Sequence, residues 1–148
     1  MTYMIRPATL SDVGIILALR YQAVENKLYR VITHDMLFDA LRKDCMAWVA
    51  EDQEKVVGFS LANKRRKMLW GLFVTPAYQN QGIGKALLNV AVRWLQQEAR
   101  HWFLFPCKKI WLETEINSRA ETFYQHLGWK RAKQVSAREV HYCYYFDV

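Results

Sequence analysis

Leu72-Phe73-Val74-Thr75-Pro76-Ala77-Tyr78-Gln79-Asn80-Gln81-Gly82-Ile83-Gly84-Lys85 is the stretch on which the fold turns. An apolar strand stopped by Pro76 leads through a bend with two glycines into a helix. Gly82 and Gly84 let the backbone approach a ligand closely, so successive N–H groups can converge on a phosphate at the positive end of the helix dipole. Two other phosphate loops are excluded. A P-loop needs glycine where Gln79 stands and Ser or Thr at Ala86, and a dinucleotide fingerprint needs a small residue at Leu87. On its own the G-x-G is equally a structural turn.

Working outward, Leu87, Val90, Ala91, Trp94 and Leu95 trace one stripe of a helix running from Gly84 to about Arg100. Upstream, Met68 to Val74 reads as a buried strand, entered through the basic turn Lys64 to Lys67. Ala47 to Glu51 and Val56 to Ala62 form a hairpin before it. Ile5 opens a short extended segment. Thr9 or Ser11 then caps a helix with Val13, Ile16, Leu17 and the Arg20 stem on one face, and Thr33 caps another carrying Met36, Leu37, Ala40 and Leu41. Downstream lie a strand at Lys109 to Thr114, a helix from Ser118 to Leu127 closed by Gly128, and a last aromatic strand from His141 to Asp147. With no repeat or linker, these elements form one domain spanning residues 1–148.

Composition sets the class. The chain has 148 residues, 52% apolar and 24% charged, enough for a core without disulfides or a structural metal. Cys45, Cys107 and Cys143 are widely spaced and read as idle thiols, and no metal site is expected. No apolar run reaches the roughly 18 residues of a membrane span, so a soluble, untargeted, cytoplasmic protein is expected. With 21 Lys plus Arg against 14 Asp plus Glu, the formal charge of +7 favours an anionic partner. The basic clusters at Lys64 to Lys67, Lys108 with Lys109, and Lys130 to Lys133 fall at expected turns or strand ends, as solvated loops or a binding patch. Most aromatics, including Phe73, Trp94 and Trp111, fall at core positions rather than in a basic stripe, which argues against nucleic acid.

Gln79-Asn80-Gln81-Gly82-Ile83-Gly84 resembles in full the pyrophosphate loop of the GNAT N-acetyltransferases, which reads Gln or Arg, two residues, Gly, any residue, then Gly or Ala. Asn117, Ala120, Tyr124 and Gly128 followed by Trp129 are similar to that family's downstream strand-helix segment. With Ile5-Arg6-Pro7-Ala8-Thr9 and the helix after it, the likeness in element order covers nearly the whole chain, Glu98 to Lys108 and the C-terminal strands matching loosely. The resemblance implies an α+β fold, a mixed, mostly antiparallel, twisted sheet of six to seven strands flanked by about four helices. It also implies direct transfer of an acetyl group from acetyl-CoA to a primary amine.

By that resemblance, Gln79, Asn80, Gln81, Gly82, Ile83, Gly84 and Lys85 hold the pyrophosphate, and the edge of Leu72, Phe73 and Val74 pairs with the pantetheine arm. The Val74 N–H polarises the thioester oxygen, Tyr124 protonates the departing thiolate, and Asn117 either orients cofactor or acceptor or caps a helix. The family's strand glutamate has no counterpart between Met68 and Val74, so the general base stays open among Glu51, Glu113, Glu115, His34 and water. A catalytically inactive acyl-CoA-binding sensor or subunit is the alternative. Tyr21, Tyr29, Phe38, Trp102, Tyr142 and Tyr144 frame an acceptor pocket or pack the core. A small amine, a peptide N-terminus and a lysine side chain are all open as acceptor, as is self-association through exposed strands.

Overall fold

The computed structural model describes residues 2–23, 31–99 and 108–146. Tyr29, Trp102, Cys107, Arg100 and Asp147 lie outside them. Strand β1 (Met4–Pro7) leads through a 3-10 turn (Leu10–Asp12) into α1 (Val13–Ala23), followed by α2 (His34–Arg42). Strands β2 (Cys45–Asp52), β3 (Lys55–Asn63) and β4 (Met68–Val74) form a meander, after which the glycine bend enters α3 (Ile83–Ala99). Then come β5 (Lys109–Glu115), α4 (Arg119–His126), β6 (Lys130–Gln134) and β7 (Glu139–Tyr145). The expected element order holds, with several strand ends shifted by one or two residues.

One seven-stranded sheet has the order β1-β2-β3-β4-β5-β7-β6. Every neighbouring pair is antiparallel except β4 with β5, whose parallel pairing follows from the α3 crossover between them. Strand alternation divides the core between the two faces of the sheet. Leu87, Leu88, Ala91 and Leu95 of α3 pack with Ile110, Leu112, Val140 and Tyr142 on one side. Val13, Ile16 and Leu19 of α1 and Leu37 of α2 pack with Val49, Phe59 and Leu61 on the other.

Three expectations change, and one open alternative is decided. Leu19 rather than Leu17 is buried in α1, because i, i+3, i+6 spacing from Val13 centres the buried stripe on Ile16. In α2 only Leu37 is fully buried, and Met36 faces outward. The run Lys130 to Lys133 forms most of edge strand β6, exposed along its whole length, where flanking cations discourage further strand pairing. Of the two roles open to Tyr142 and Tyr144, they take core packing on the α3 side, their positions alternating with those of His141 and Cys143. Cys45 and Cys143 are buried free thiols, and burial pushes Cys45 up to about 12, which keeps it protonated and inert. No helix among the described residues is long and apolar enough to cross a membrane.

Arg6 ties the first strand to the first helix. Its guanidinium reaches Asp12 Oδ2 at 2.8 Å and Glu51 Oε1 at 2.6 Å, and the Thr9 N–H also donates to Asp12 at 2.7 Å. The Arg6 hydrogen bond is the main cause that lowers the Asp12 carboxyl from 3.8 to about 2. A depressed folded value stabilises above the unfolded one, so this contribution is complete above pH 4 and fades as pH falls toward 2. It amounts to about 2 kcal/mol. Asp12→Asn is expected to lower stability at pH 7 by about that amount and to flatten the acid limb, read from urea midpoints across pH 2 to 7. Parallel curves for the two proteins would refute the assignment.

Candidate active site

The site begins with a strand pair that comes apart. The only paired residues of β4 and β5 are Met68 and Trp111, next to the Trp111 N–H donating to the Lys67 carbonyl at 3.1 Å. Beyond them the strands separate. An irregularity in the β3–β4 register leaves Trp70 as an extra residue between Leu69 and Gly71, and such a bulge bends and twists its strand. On the β3 side, the Thr75 N–H donates to the Val57 carbonyl at 2.9 Å. Alternation therefore turns the amides of Phe73 and Gly71 toward β3 and those of Leu72 and Val74 toward the gap. Of the three expected edge residues, two present a main-chain edge to it.

The glycine bend closes the end of this gap. Gly82 has a φ of +83°, a left-handed conformation, and its carbonyl accepts the Ala86 N–H at 3.0 Å. That bond starts α3 and leaves the N–H groups of Ile83, Gly84 and Lys85 without intrahelical acceptors. The Ile83 side chain is buried in the core, so only its main chain faces the bend. Gln79 Nε2 donates to the Val74 carbonyl at 3.0 Å, and the Tyr78 hydroxyl donates to Asp52 at 2.8 Å, fixing the loop to the β2–β3 hairpin. The Asp52 bond is the first cause that raises Tyr78's pKa.

A cavity of about 550 Å³ lies between this loop, β4 and α4. Leu72, Phe73, Val74, Gln79, Asn80, Gly82, Gly84 and Lys85 line one side, as the sequence suggests. Ser118, Arg119, Ala120, Phe123 and Tyr124 of the α4 region line the other. Gln81 and Asn117 are exposed and do not line it. Arg119 bridges the two sides, with Nη1 donating to Gln79 Oε1 at 2.9 Å and Nη2 reaching Asn80 Oδ1 at 3.4 Å.

Tyr124 sits deepest. It is 6% exposed, its ring contacts Phe123 and Trp129 at centroid distances of 5.4 and 5.7 Å, and no hydrogen bond among the described residues engages its hydroxyl. Burial raises its pKa, so the phenol stays protonated. Helix α4 is held in place by its N-cap and by Glu121. Ser118 Oγ accepts the Glu121 N–H at 3.1 Å as N-cap, and Glu121 accepts both the Tyr142 hydroxyl at 2.7 Å and the Asn117 N–H at 2.8 Å. The Tyr142 bond, then the Asn117 N–H, holds the Glu121 carboxyl below the usual range. Asn117, with φ +61°, precedes the cap, and Ser118 performs the capping.

None of the four candidate bases lines this cavity. Glu51 is bound to Arg6, and His34 is exposed at the start of α2, its ring stacked on Phe38. Glu115 lies 3.9 Å from Arg138, and Glu113 is paired with His141. No group of three His, Cys, Asp or Glu side chains among the described residues is placed to hold a metal ion.

Residues 43–131 match the family described as Acetyltransferase (GNAT) domain. The human protein N-acetyltransferase 8 is 29% identical over 116 residues, covering 66% of this chain and 48% of that protein, so the chain spans about half the length of this relative. The fold is that of PaiA N-acetyltransferase from Thermoplasma acidophilum in complex with coenzyme A (TM-score 0.76, 15% identity, 99% of this chain and 100% of the other). It is also that of yncA from Salmonella typhimurium with its cofactor acetyl-CoA (TM-score 0.78, 18% identity, 100% and 96%).

Proposed function

The chain belongs to the GNAT acetyltransferases, and on that premise we propose that it binds acetyl-CoA in the β4–α4 cavity and transfers the acetyl group directly to a primary amine. One observation carries this reading. The amides of Leu72 and Val74 that face away from β3, the helix-opening N–H groups of Gly84 and Lys85, and the Tyr124 hydroxyl belong to residues that line a single cavity. Each meets a different part of the substrate. Helix-opening N–H groups suit the diphosphate, an open strand edge suits the amide-rich arm, and a tyrosine hydroxyl that no hydrogen bond among the described residues engages suits the thioester sulfur. The volume of about 550 Å³ lies within the range of small-molecule sites. The positive charge of the chain favours a polyanionic substrate.

In this reading the Val74 N–H donates to the thioester oxygen as negative charge develops there, and its side chain is incidental. Calorimetry with coenzyme A and acetyl-CoA, followed by thiol release in the presence of amines, tests it. Absence of measurable binding to either compound overturns it. A second reading is favoured by the lack of any Asp, Glu or His in the cavity lining among the described residues: an acyl-CoA-binding sensor or subunit that does not turn the thioester over. It predicts binding without thiol release for every amine tried.

Arg119 stiffens the cavity mouth in either case. Removing a bridge worth about 1 kcal/mol, Arg119→Ala is expected to weaken coenzyme A binding about fivefold. Because Arg119 is exposed, the thermal midpoint should stay within a few degrees, and unchanged affinity in calorimetry would assign the bridge no role in binding.

A further inference from the structure

An alkylammonium ion must lose a proton before its nitrogen can attack, and the cavity lining among the described residues offers no group to take it. The opposite face of the sheet does. Along β5, Ile110, Leu112 and Thr114 are buried toward α3 and α4, which puts Trp111, Glu113 and Glu115 on the face that carries α1. Strand β7 is in register, with His141 directly opposite Glu113 and Cys143 opposite Trp111. His141 Nε2 lies 3.1 Å from Glu113 Oε1, and the imidazole rests against the Trp111 indole at 4.6 Å. Trp111 is fixed in turn, its Nε1–H donating to the Arg66 carbonyl at 2.8 Å. Both partners remain reachable, with side-chain exposures of 27% for His141 and 14% for Glu113.

Their place in the sheet gives the pair a use. Glu113 stands two residues, about 7 Å, past the Met68–Trp111 pair, where β5 has begun to part from β4. Other charged groups on this side include Arg66 over the Trp111 ring, Glu115 beside Arg138, Glu139 opposite Glu115, Lys109 opposite Tyr145, and Lys130 opposite Cys143.

We propose that His141 is the general base for the amine acceptor and that Glu113 is the positioning residue that orients it. With Glu113 ionised, Nε2 carries the hydrogen of their shared bond and Nδ1 presents the lone pair. The ammonium gives one proton to Nδ1, and the freed nitrogen adds to the thioester carbonyl carbon. The C–S bond then breaks, and the second nitrogen proton balances the departing thiolate, relayed through Tyr124 or solvent. Net products are the amide, the free thiol and one proton, which His141 returns to solvent.

This assignment rests on the acetyl-transfer reading above, and the test separates the two. Wild type, Glu113→Gln, His141→Ala and His141→Gln are compared with acetyl-CoA as donor. The acceptors are phenethylamine, Nα-acetyl-lysine amide, a tetrapeptide with a free N-terminus, and hydroxylamine, whose nitrogen is already unprotonated at neutral pH. His141→Ala and His141→Gln are expected to lose about a hundredfold in kcat on the alkylamines, with hydroxylamine turnover and acetyl-CoA affinity preserved. Added imidazole should restore part of the loss in His141→Ala on alkylamines only. Glu113→Gln should lose about tenfold in kcat on the same acceptors with KM for acetyl-CoA unchanged. Equal losses on hydroxylamine and alkylamines, no loss at all, or no rescue by imidazole would each overturn the assignment while leaving acetyl transfer standing. A wild-type chain that acetylates none of the four acceptors overturns both.

Discussion

Tyr124→Phe is expected to slow acetyl transfer by roughly 10² to 10⁴ in single turnover, with little change in acetyl-CoA affinity or stability. The expectation starts from packing. The ring is held by Phe123 and Trp129, contacts that phenylalanine keeps, and the hydroxyl has no hydrogen bond among the described residues, so removing it orphans no protein group. A measured loss is therefore chemical. From ordinary values, a phenol near 10 and a thiol near 8.5, proton transfer to the thiolate runs uphill by about 2 kcal/mol. Burial raises the phenol further, but a largely apolar cavity raises a thiol too, so the two stay closer than the phenol's shift alone implies. Tyr124 then acts chiefly by donating a hydrogen bond to sulfur as its charge grows, with the proton following late. Because the phenol stays protonated, its contribution should not vary between pH 6 and 9. A Phe variant whose single-turnover rate equals wild type, with chemistry limiting, would remove Tyr124 from the mechanism.

What could be read beforehand tracks what is local in the chain. The glycine bend, the α3 stripe and the closing Gly128 are dictated by neighbours a few residues away, and each stands where the sequence puts it. Tyr124 came from resemblance, since nothing in composition separates it from seven other tyrosines. Ser118, Arg119 and Phe123 as cavity lining were out of reach, because they meet the loop only through the placement of α4 beside β5. Facing direction was harder still. Ile83 belongs to the phosphate-loop pattern yet turns its side chain into the core, because helix phase is set by the burial of Leu87 and Ala91 further along. The Glu113–His141 pair depends on cross-strand register between β5 and β7, and a slip of one residue would point every side chain the other way. Strand β6 is hard to read for the opposite reason: with every residue exposed, it shows no alternation.

The two glycines of the bend are expected to differ sharply under substitution, because their backbones do different things. Gly82 is left-handed, with φ +83°, and an added Cβ there meets nothing closer than the Tyr3 hydroxyl at 4.0 Å. Space is available, but a β-branched side chain does not tolerate the conformation. Gly82→Val must either bear about 1 to 3 kcal/mol of strain or rotate the bend, and rotation turns the free amides of Ile83, Gly84 and Lys85 away from a common point. Coenzyme A affinity should fall about 10- to 100-fold in calorimetry. Gly84 needs no such conformation. A Cβ there lies 3.6 Å from the Phe123 ring and 3.8 Å from Val74, ordinary contact distances, and alanine suits the first turn of a helix better than glycine. Gly84→Ala should therefore bind within about threefold of wild type and be no less stable. If Gly82→Val kept wild-type affinity, amide convergence at the bend would not be what holds the diphosphate. If Gly84→Ala lost it, the ligand would have to approach the helix so closely that even a methyl group blocks it.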